Sequence, residues 1–230
     1  MGHKELRIGS YNMRKARGLD QKVLPQRIVR VINSIGADVV VLQEADKRLG
    51  VRYPAIPREM IDAETDFELV EISENQVSLG WHGNAVLVRR GIKIRDAKRI
   101  DLPGFEPRGA VRIDLDDGSE LSIVATHLGL RRKNRTAQLR AICEATTDSQ
   151  HTLIAGDMNE WSATNGFKPL DGRFAVHSPG HSFHARRPIA ALDRFAISEK
   201  ITLRDAGVVQ TDLAKRASDH LPIWCDVTVG

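Results

Sequence analysis

The sequence predicts an α/β protein in which two mixed β-sheets pack face to face and carry helices on their outer sides. Two observations lead to this prediction. Strand-like segments recur along the chain, and their order mixes single helical crossovers with hairpins, which fits one doubly wound parallel sheet less well. In addition, no linker, low-complexity tract or short-period repeat divides the 230 residues, so we expect one domain over residues 1–230.

The first half of the chain contains three predicted strands and one predicted helix. Residues 6–12 alternate between apolar and polar side chains, which indicates a strand. Apolar residues at helical spacing predict a helix over residues 23–35, closed by Gly36. Residues 38–43 form a nearly continuous apolar run, typical of a strand buried on both faces. Residues 84–88 have the pattern of a further strand.

The second half contains a hairpin, a helix and three more strands. Residues 111–115 and 121–125 flank an Asp-Asp-Gly-Ser sequence at 116–119, which is a strong hairpin signal. A basic, amphipathic helix is predicted over residues 132–146. The remaining strands are predicted at 151–155, 192–197 and 222–229.

Composition restricts the class of protein but says little about its activity. The net charge of +4 and the pI near 9.2 agree with an anionic partner but do not require one. Two distant cysteines, Cys143 and Cys225, do not form a disulfide framework, which favours a reducing compartment. The polar N-terminus lacks an apolar signal core, and no run reaches the ~20 apolar residues of a membrane span. We therefore expect a cytoplasmic protein.

Polar side chains with catalytic or metal-binding potential end five predicted strands, and a sixth group precedes the last strand. Any single Asp or Asn in such a place is usually a turn former. Glu44 is different, because glutamate gains little from turn geometry and here follows a fully apolar strand. Ligands and catalytic groups gather outside strand ends in α/β folds, so the repetition indicates a site. The residues are Asn12, Glu44, His127, Asp157 with Asn159, Asp193, and Ser218-Asp219-His220.

The residue types at these strand ends suit a hard divalent cation. Carboxylate and amide oxygens prefer Mg²⁺ or Mn²⁺ to zinc, and no histidine or cysteine pair has zinc-site spacing. The chain also lacks the glycine-rich phosphate loop of P-loop enzymes and the GxGxxG turn of dinucleotide-binding proteins. These observations favour phosphate chemistry assisted by Mg²⁺ or Mn²⁺.

Seven segments, in this order, resemble the successive motifs of the endonuclease/exonuclease/phosphatase superfamily, and the chain is most similar to its small bacterial hydrolases. The resemblance implies a four-layered αββα sandwich of the deoxyribonuclease-I type, with the site at one open edge of the two sheets. The segments are Ser10-Tyr11-Asn12, Val41-Leu42-Gln43-Glu44, Gly83-Asn84-Ala85, Thr126-His127-Leu128, Ala155-Gly156-Asp157-Met158-Asn159, Leu192-Asp193 and Ser218-Asp219-His220-Leu221-Pro222.

The resemblance also implies a metal site and a nucleophile site. Glu44 resembles the principal metal ligand, and Asn12 and Asp219 complete or support that site. Asp157 corresponds to the residue that orients or deprotonates the attacking water. Asn159 helps to hold that water and the phosphate.

Three further residues would act on the phosphate group. His220 resembles the histidine that contacts the scissile phosphate, and Asp193 resembles the carboxylate that orients its ring. His127 falls where members of the superfamily contact the phosphate or assist the leaving group. The segment Tyr11–Lys15 resembles a YNxHK element in which Arg14 replaces the usual histidine. This departure leaves the metal site intact, but the substrate of that group cannot be assigned to this chain on the strength of the resemblance.

The substrate itself stays open at this level. Arg131 and Arg186, each with basic neighbours, either line the mouth of the site or are solvated surface residues. Phe183 would stack on a base or contact a lipid chain, and Asn84 either turns toward the site or starts a strand. We expect a monomer with no protein partner, acting on a phosphate ester such as nucleic acid or a lipid.

Three functions remain. The first is a phosphodiesterase for nucleic acid or a nucleotide ester. The second is a phosphodiesterase or phosphatase for a lipid head group or sugar phosphate. The third is a catalytically silent phosphate-binding module, and the intact set of site residues argues against it.

Overall fold

The computed structural model describes residues 5–47, 50–116 and 118–229. Four α-helices are found within these ranges: α1 (Pro25–Ile35), α2 (Arg58–Glu64), α3 (Arg132–Glu144) and α4 (Ala214–Ala217). The strands are β1 (Glu5–Asn12), β2 (Val39–Gln43), β3 (Phe67–Leu69), β4 (Ala85–Arg89), β5 (Ile94–Leu102), β6 (Arg108–Leu115), β7 (Ser122–His127), β8 (Thr152–Asp157), β9 (Phe174–His177), β10 (Asp193–Ser198), β11 (Ile201–Val208) and β12 (Ile223–Val229).

The strands form two sheets of six strands each. The first sheet has the order β11-β12-β1-β2-β4-β3, and the second has the order β5-β6-β7-β8-β10-β9. In each sheet one pair is parallel, β1 with β2 and β7 with β8, and the other pairs are antiparallel. The prediction of two mixed sheets is therefore confirmed.

Every strand and helix predicted from the sequence is present, with ends shifted by one to three residues. Helix α1 begins at Pro25 rather than at residue 23, because the fixed φ of proline suits the first turn of a helix. Gly36 ends it with φ +66°, a left-handed conformation that costs glycine little. The predicted hairpin joins β6 to β7, and Asp117 at its tip lies outside the described residues.

Three apolar cores produce four layers. The inner faces of the sheets pack on each other through residues such as Val41, Val111 and Phe195. The outer face of the first sheet packs against α1, whose Ile28 and Ile32 are fully buried. The outer face of the second sheet packs against α3 in a third cluster. This is the αββα sandwich that the resemblance implies.

The connections bring the polar strand ends to one edge. Helix α1 links the parallel strands β1 and β2, and α3 links the parallel strands β7 and β8, so each pair ends on the same side of its sheet. The antiparallel strands β4, β10 and β12 begin at that side, since Ala85 pairs with Leu42, Asp193 with Asp157 and Ile223 with Ser10. The ends named in the sequence therefore meet along one edge.

Within residues 5–47, 50–116 and 118–229, none of the helices combines the length and the apolar character needed to cross a membrane.

A buried ionic cluster closes the opposite end of the second sheet. Arg112 donates from Nε to Asp114 Oδ1 at 2.8 Å and from Nη1 to Asp148 Oδ1 at 2.5 Å. Ser122 Oγ donates to Asp114 Oδ1 at 2.6 Å. Arg112, Asp114 and Ser122 are all buried, so the carboxylate of Asp114 balances a charge that water cannot reach.

We expect Asp114→Ala to lower the free energy of unfolding by about 2 kcal/mol, because it leaves donors of a buried guanidinium unpaired. Urea denaturation measures the effect. Asp96→Ala is the matched control, because Asp96 pairs with Lys98 on the surface and exposed pairs contribute ~1 kcal/mol or less. Equal stabilities for the two variants would contradict this role for the cluster.

Candidate active site

Strand register places three of the predicted residues side by side. In the second sheet His127 pairs with Asp157 across the β7–β8 ladder, and Asp193 pairs with Asp157 across the β8–β10 ladder. Because paired residues point to the same face of a sheet, the three side chains share one face at its edge. Asp157 lies in the middle and is 2% exposed.

Three side chains from the two sheets surround the Oδ2 atom of Asp157. Asn12 Nδ2, from the first sheet, donates to it at 3.0 Å. His127 Nε2 lies 3.4 Å from the same oxygen and His220 Nε2 lies 3.7 Å from it. The other oxygen, Oδ1, accepts from the backbone N–H of Asn159 at 2.9 Å. One carboxylate oxygen thus faces an amide and two imidazoles contributed by both sheets.

Asp193 supports His220 from behind. Asp193 Oδ2 lies 2.8 Å from His220 Nδ1, which is the pairing that the resemblance implies. Ser182 Oγ donates to the same oxygen at 2.5 Å. Asp193 is fully buried and its Oδ1 has no hydrogen-bond partner in the described part of the chain, so the carboxylate lies beneath the cleft rather than on its surface.

Burial and charge shift both ionisable partners. Burial raises the pKa of the Asp157 carboxyl above its ordinary value, and the nearby Asp193 carboxylate adds to the effect. Burial alone would lower the pKa of His220, but the carboxylates of Asp193 and Asp157 outweigh it and raise that pKa. The arrangement therefore favours a cationic imidazole beside a carboxylate of increased basicity.

The glycine before Asp157 is required by the neighbouring backbone. Gly156 has φ +152°, and a Cβ atom at this position would lie 1.8 Å from the carbonyl oxygen of Thr126. Any larger residue would push β7 and β8 apart at the point where they present His127 and Asp157. This close approach explains why the Gly-Asp-Met-Asn segment requires glycine at position 156.

Glu44 and Asp219 lie at the edge of the first sheet and are partly exposed. The ammonium group of Lys15 is hydrogen-bonded to Glu44 Oε2, and Arg14 Nε lies 3.4 Å from Asp219 Oδ2. Both carboxylates line one surface cavity. Asn12 is adjacent, since its Oδ1 accepts from the backbone N–H of Arg14 at 3.2 Å.

These three side chains fit a hard divalent cation. They offer oxygen ligands, and the present partners of Glu44 and Asp219 are the long side chains of Lys15 and Arg14, which are about a third exposed. Asn12 instead contacts Asp157 and the backbone N–H of Arg14. The residues that would hold Mg²⁺ or Mn²⁺ are therefore Glu44, Asn12 and Asp219.

A second group that could hold a metal consists of Asp157, Asp193 and His220, whose ligand atoms lie within 4.8 Å of one another. A cation there would have to displace the hydrogen bonds that Ser182 and His220 make to Asp193. Because Asp193 is fully buried, we interpret this group as a carboxylate–imidazole pair with a neighbouring base.

Lys15 and Arg14 lie on a turn with unusual backbone geometry. Arg14, Lys15 and Ala16 have φ of +47°, +54° and +59°, a run of left-handed conformations in non-glycine residues. Such conformations cost roughly 1–2 kcal/mol per residue. Their position directly after Asn12 matches the tendency of backbone strain to accumulate at functional sites.

Two predicted asparagines are fixed by backbone carbonyls. Asn159 donates from Nδ2 to the carbonyl oxygen of Leu128 at 2.9 Å, beside the site. Asn84 donates to the carbonyl of Gly109 at 2.8 Å and is fully buried. Asn84 therefore joins the start of β4 to β6 across the two sheets, and its predicted binding role stays a prediction.

The other predicted binding residues separate into two groups. The ring of Phe183 lies 5.0 Å from that of His220 and 5.9 Å from the exposed ring of Trp161, so Phe183 borders the site. Arg131 is exposed and stacks on Phe105 at 5.9 Å. Arg186 lines a different surface cavity, formed with Asp20, Asp212 and Arg216 among others.

Two residues of the site, Ser182 and Lys15, were not singled out from the sequence, although they contact Asp193 and Glu44 directly. Ser218, which the sequence did indicate, donates from Oγ to the carbonyl of Asn12 at 2.7 Å. Lys15 lies in the segment Tyr11–Lys15 that resembles a YNxHK element, which is the signal available for it. Arg135, in contrast, is buried and paired with Glu160 at 2.7 Å, so it is not available for phosphate.

The fold and the edge of carboxylates, amides and imidazoles are typical of phosphoester hydrolases of the deoxyribonuclease-I-like type. Residues 9–220 match the model of the family described as Endonuclease/Exonuclease/phosphatase family. The chain therefore belongs to this family, as the sequence resemblance predicts. The family is generally dependent on divalent metal ions.

Relatives agree with this assignment. The uncharacterized protein YbhP of Escherichia coli (strain K12) is 26% identical over 225 residues, covering 89% of this chain and 88% of YbhP. The structure of D. rerio TDP2 complexed with single strand DNA product has a TM-score of 0.74 at 20% identity, covering 97% of this chain and 99% of that one. Bacteroides thetaiotaomicron VPI-5482 mannosyl-6-phosphatase has a TM-score of 0.75 at 15% identity, covering 96% and 99%.

The Asp193–His220 pair can be tested with Asp193→Asn. The amide keeps the shape of the carboxylate but removes the negative charge that favours the imidazolium, and it permits the opposite ring tautomer. We expect kcat on bis-p-nitrophenyl phosphate to fall on the order of 10²-fold, or about 3 kcal/mol.

The melting temperature should be measured on the same samples. Ser182→Ala is the matched control, because it removes the other hydrogen bond to Asp193 Oδ2 and leaves the charge in place. A folded Asp193→Asn protein with the turnover of the wild type would remove Asp193 from the catalytic arrangement.

Proposed function

We propose that this protein is a divalent-metal-dependent phosphodiesterase that activates a water molecule for in-line attack on a phosphate ester. The observation that carries the proposal is the surrounding of Asp157 Oδ2, where Asn12, His127 and His220 converge from both sheets. A basic carboxylate next to two imidazoles is suited to place a nucleophile and to stabilise charge on a phosphoryl group.

Each residue has a role that follows from its contacts. Asp157 orients the water and accepts its proton, because burial has raised the pKa of its carboxyl. Asn159 holds Asp157 through its backbone N–H, and its side-chain oxygen is left for the water or the phosphate because Nδ2 donates to Leu128. Asp157 is the last residue of β8 and Asn159 lies in the turn that follows it, so the hydrogen bond between them holds them close together.

The two histidines act on the phosphate. His220, held by Asp193 through Nδ1, presents Nε2 to the phosphoryl oxygens as part of a cationic ring. His127 lies on the neighbouring strand and supports the phosphate or the leaving group. Asp193 contacts neither water nor phosphate and is a positioning residue.

Glu44, Asn12 and Asp219 would hold Mg²⁺ or Mn²⁺, which when bound supplies an electrophile for the phosphoryl oxygens. Lys15 and Arg14 neutralise Glu44 and Asp219 in the present arrangement.

The surroundings of the site favour a diester. Phe183 and the exposed Trp161 border it on the side of β8 and β10, and a cavity containing Lys15 and His127 borders it on the side of Glu44. A phosphodiester has a substituent on each side of the phosphorus atom, and these substituents would contact the aromatic side and the cavity side. A nucleic acid or nucleotide would stack a base on the aromatic side, and a phospholipid would place an apolar chain there.

A phosphatase for a lipid head group or sugar phosphate is the second candidate. Its support is the similarity to a mannosyl-6-phosphatase, but the identity of 15% bears on the fold and not on the substrate. Bis-p-nitrophenyl phosphate and p-nitrophenyl phosphate separate diesterase from monoesterase activity. Single-stranded DNA, RNA and phospholipids then define the class of diester.

We expect diester hydrolysis with Mg²⁺ or Mn²⁺, and none with excess EDTA. Glu44→Gln should lower kcat/KM at least about 10²-fold, because an amide is a weaker ligand for a hard cation. Glu68→Gln is the control, since Glu68 is an exposed carboxylate on the edge strand β3. Undiminished turnover in EDTA would contradict metal dependence.

A further inference from the structure

A small basic pocket lies beside Glu44, on the side of the site away from Phe183. It is about 50 Å³ in volume and shares His127 with the catalytic group, so it opens directly onto the proposed position of the phosphate. We call it the basic pocket and define it by Lys15, Glu44, Lys47, Arg52, His82 and Arg108.

We propose that the basic pocket binds a second phosphate group of the substrate, next to the phosphate that is hydrolysed. This inference rests on the proposed function and makes it more specific. The substrate class is then a phosphate ester that carries another phosphate nearby, on either a nucleoside or a sugar.

The pocket has an excess of positive charge. Two acidic residues line it, but Glu44 is paired with Lys15 and Asp46 accepts from the backbone N–H of Leu79 at 2.7 Å. Over residues 5–47, 50–116 and 118–229, no carboxylate lies within ion-pair distance of Lys47 or Arg52. Arg52 interacts with Asp46 only at longer range, and Lys47 lies over the ring of Tyr53 at 5.9 Å, so neither cation is held in an ion pair and both can attract a bound anion.

Arg108 gives an independent reason to expect an anion. Its side chain is only 9% exposed, and Nη2 donates to Glu106 Oε2 at 2.9 Å. Its buried Nε has no acceptor among the described residues. A buried donor without a partner is unfavourable, so an acceptor oxygen of a ligand that reached this nitrogen would satisfy it.

Arg52 is held in place by a neutral histidine. Its Nη1 lies 3.2 Å from His82 Nδ1, which must accept because a guanidinium can only donate. Burial lowers the pKa of His82, and the charge of Arg52 lowers it further. The imidazole therefore stays neutral and orients the guanidinium, whose planar fork matches phosphate oxygens.

The size of the pocket limits what enters it. A volume of about 50 Å³ accommodates a few water-sized groups, which suits a small anion such as a single phosphate. The rest of the substrate must lie in the open cleft.

Matched substrate pairs test the proposal. The p-nitrophenyl ester of thymidine 5′-phosphate is compared with the same ester bearing a 3′-phosphate, and the p-nitrophenyl ester of glucose 6-phosphate is compared with the same ester bearing a 1-phosphate. We expect the additional phosphate to raise kcat/KM at least about 10-fold in one pair, which identifies nucleotide or sugar as the source. Arg52→Ala and Arg108→Gln should reduce that ratio to near 1.

Arg95→Ala is the control and should keep the ratio of the wild type, because Arg95 is exposed on β5 at the end opposite the site. Arg52 is only half-buried, so Arg52→Ala decides the matter if Arg108→Gln does not fold. A ratio near 1 for the wild type in both pairs, or a preference that both variants retain, would overturn the proposal.

A binding experiment separates this inference from the proposed hydrolysis. The Kd of thymidine 3′,5′-bisphosphate and of thymidine 5′-phosphate is measured by calorimetry without added metal. If no substrate is turned over but the bisphosphate binds more tightly in an Arg52-dependent way, the basic pocket stands and the proposed function fails. Equal affinities, or a difference unchanged by Arg52→Ala, would overturn the pocket whatever the activity.

Discussion

The hydrogen bond from Asn12 to Asp157 is the contact on which the site depends, because it joins the edges of two separate sheets. Within the second sheet, ladder register alone sets His127, Asp157 and Asp193 next to one another. Ladder register cannot fix the first sheet relative to the second. That alignment comes from the apolar packing between the sheets and, at the edge itself, from this amide together with the His220–Asp193 and Asn84–Gly109 hydrogen bonds.

Local backbone strain accompanies the same residues. Glu44 and Asn159 both have positive φ, as do Arg14 and Lys15, although none of them is glycine. Each occurs at the first position after a regular strand or in the turn that follows it. Strands buried on both faces hold these turns in conformations that an isolated segment would leave, which is how a rigid sandwich maintains a strained edge.

The sequence predicted the central strands of each sheet better than the edge strands. The strands that were not predicted, β3, β5, β9 and β11, are the four edge strands of the two sheets. Edge strands pair on one side only and carry charged residues that discourage aggregation, so their apolar alternation is weak. Strand β5, Ile-Arg-Asp-Ala-Lys-Arg-Ile-Asp-Leu, shows this directly. The orientation of Asn84 toward Gly109 could not be predicted for another reason: the sequence does not tell which way a side chain turns at a strand start.

The net charge of the chain indicates a binding partner only after the charges that are paired within the protein have been subtracted. A net charge of +4 suggested an anionic partner, yet many arginines are committed within the protein: Arg7 to Asp226, Arg112 to Asp114, and Arg135 to Glu160. The remaining positive charge is concentrated around the basic pocket. Its cations come from separate segments of the chain, so no short sequence motif contains them. Composition therefore cannot locate the anion, whereas the fold can, because it concentrates unpaired positive charge beside the carboxylate–imidazole edge.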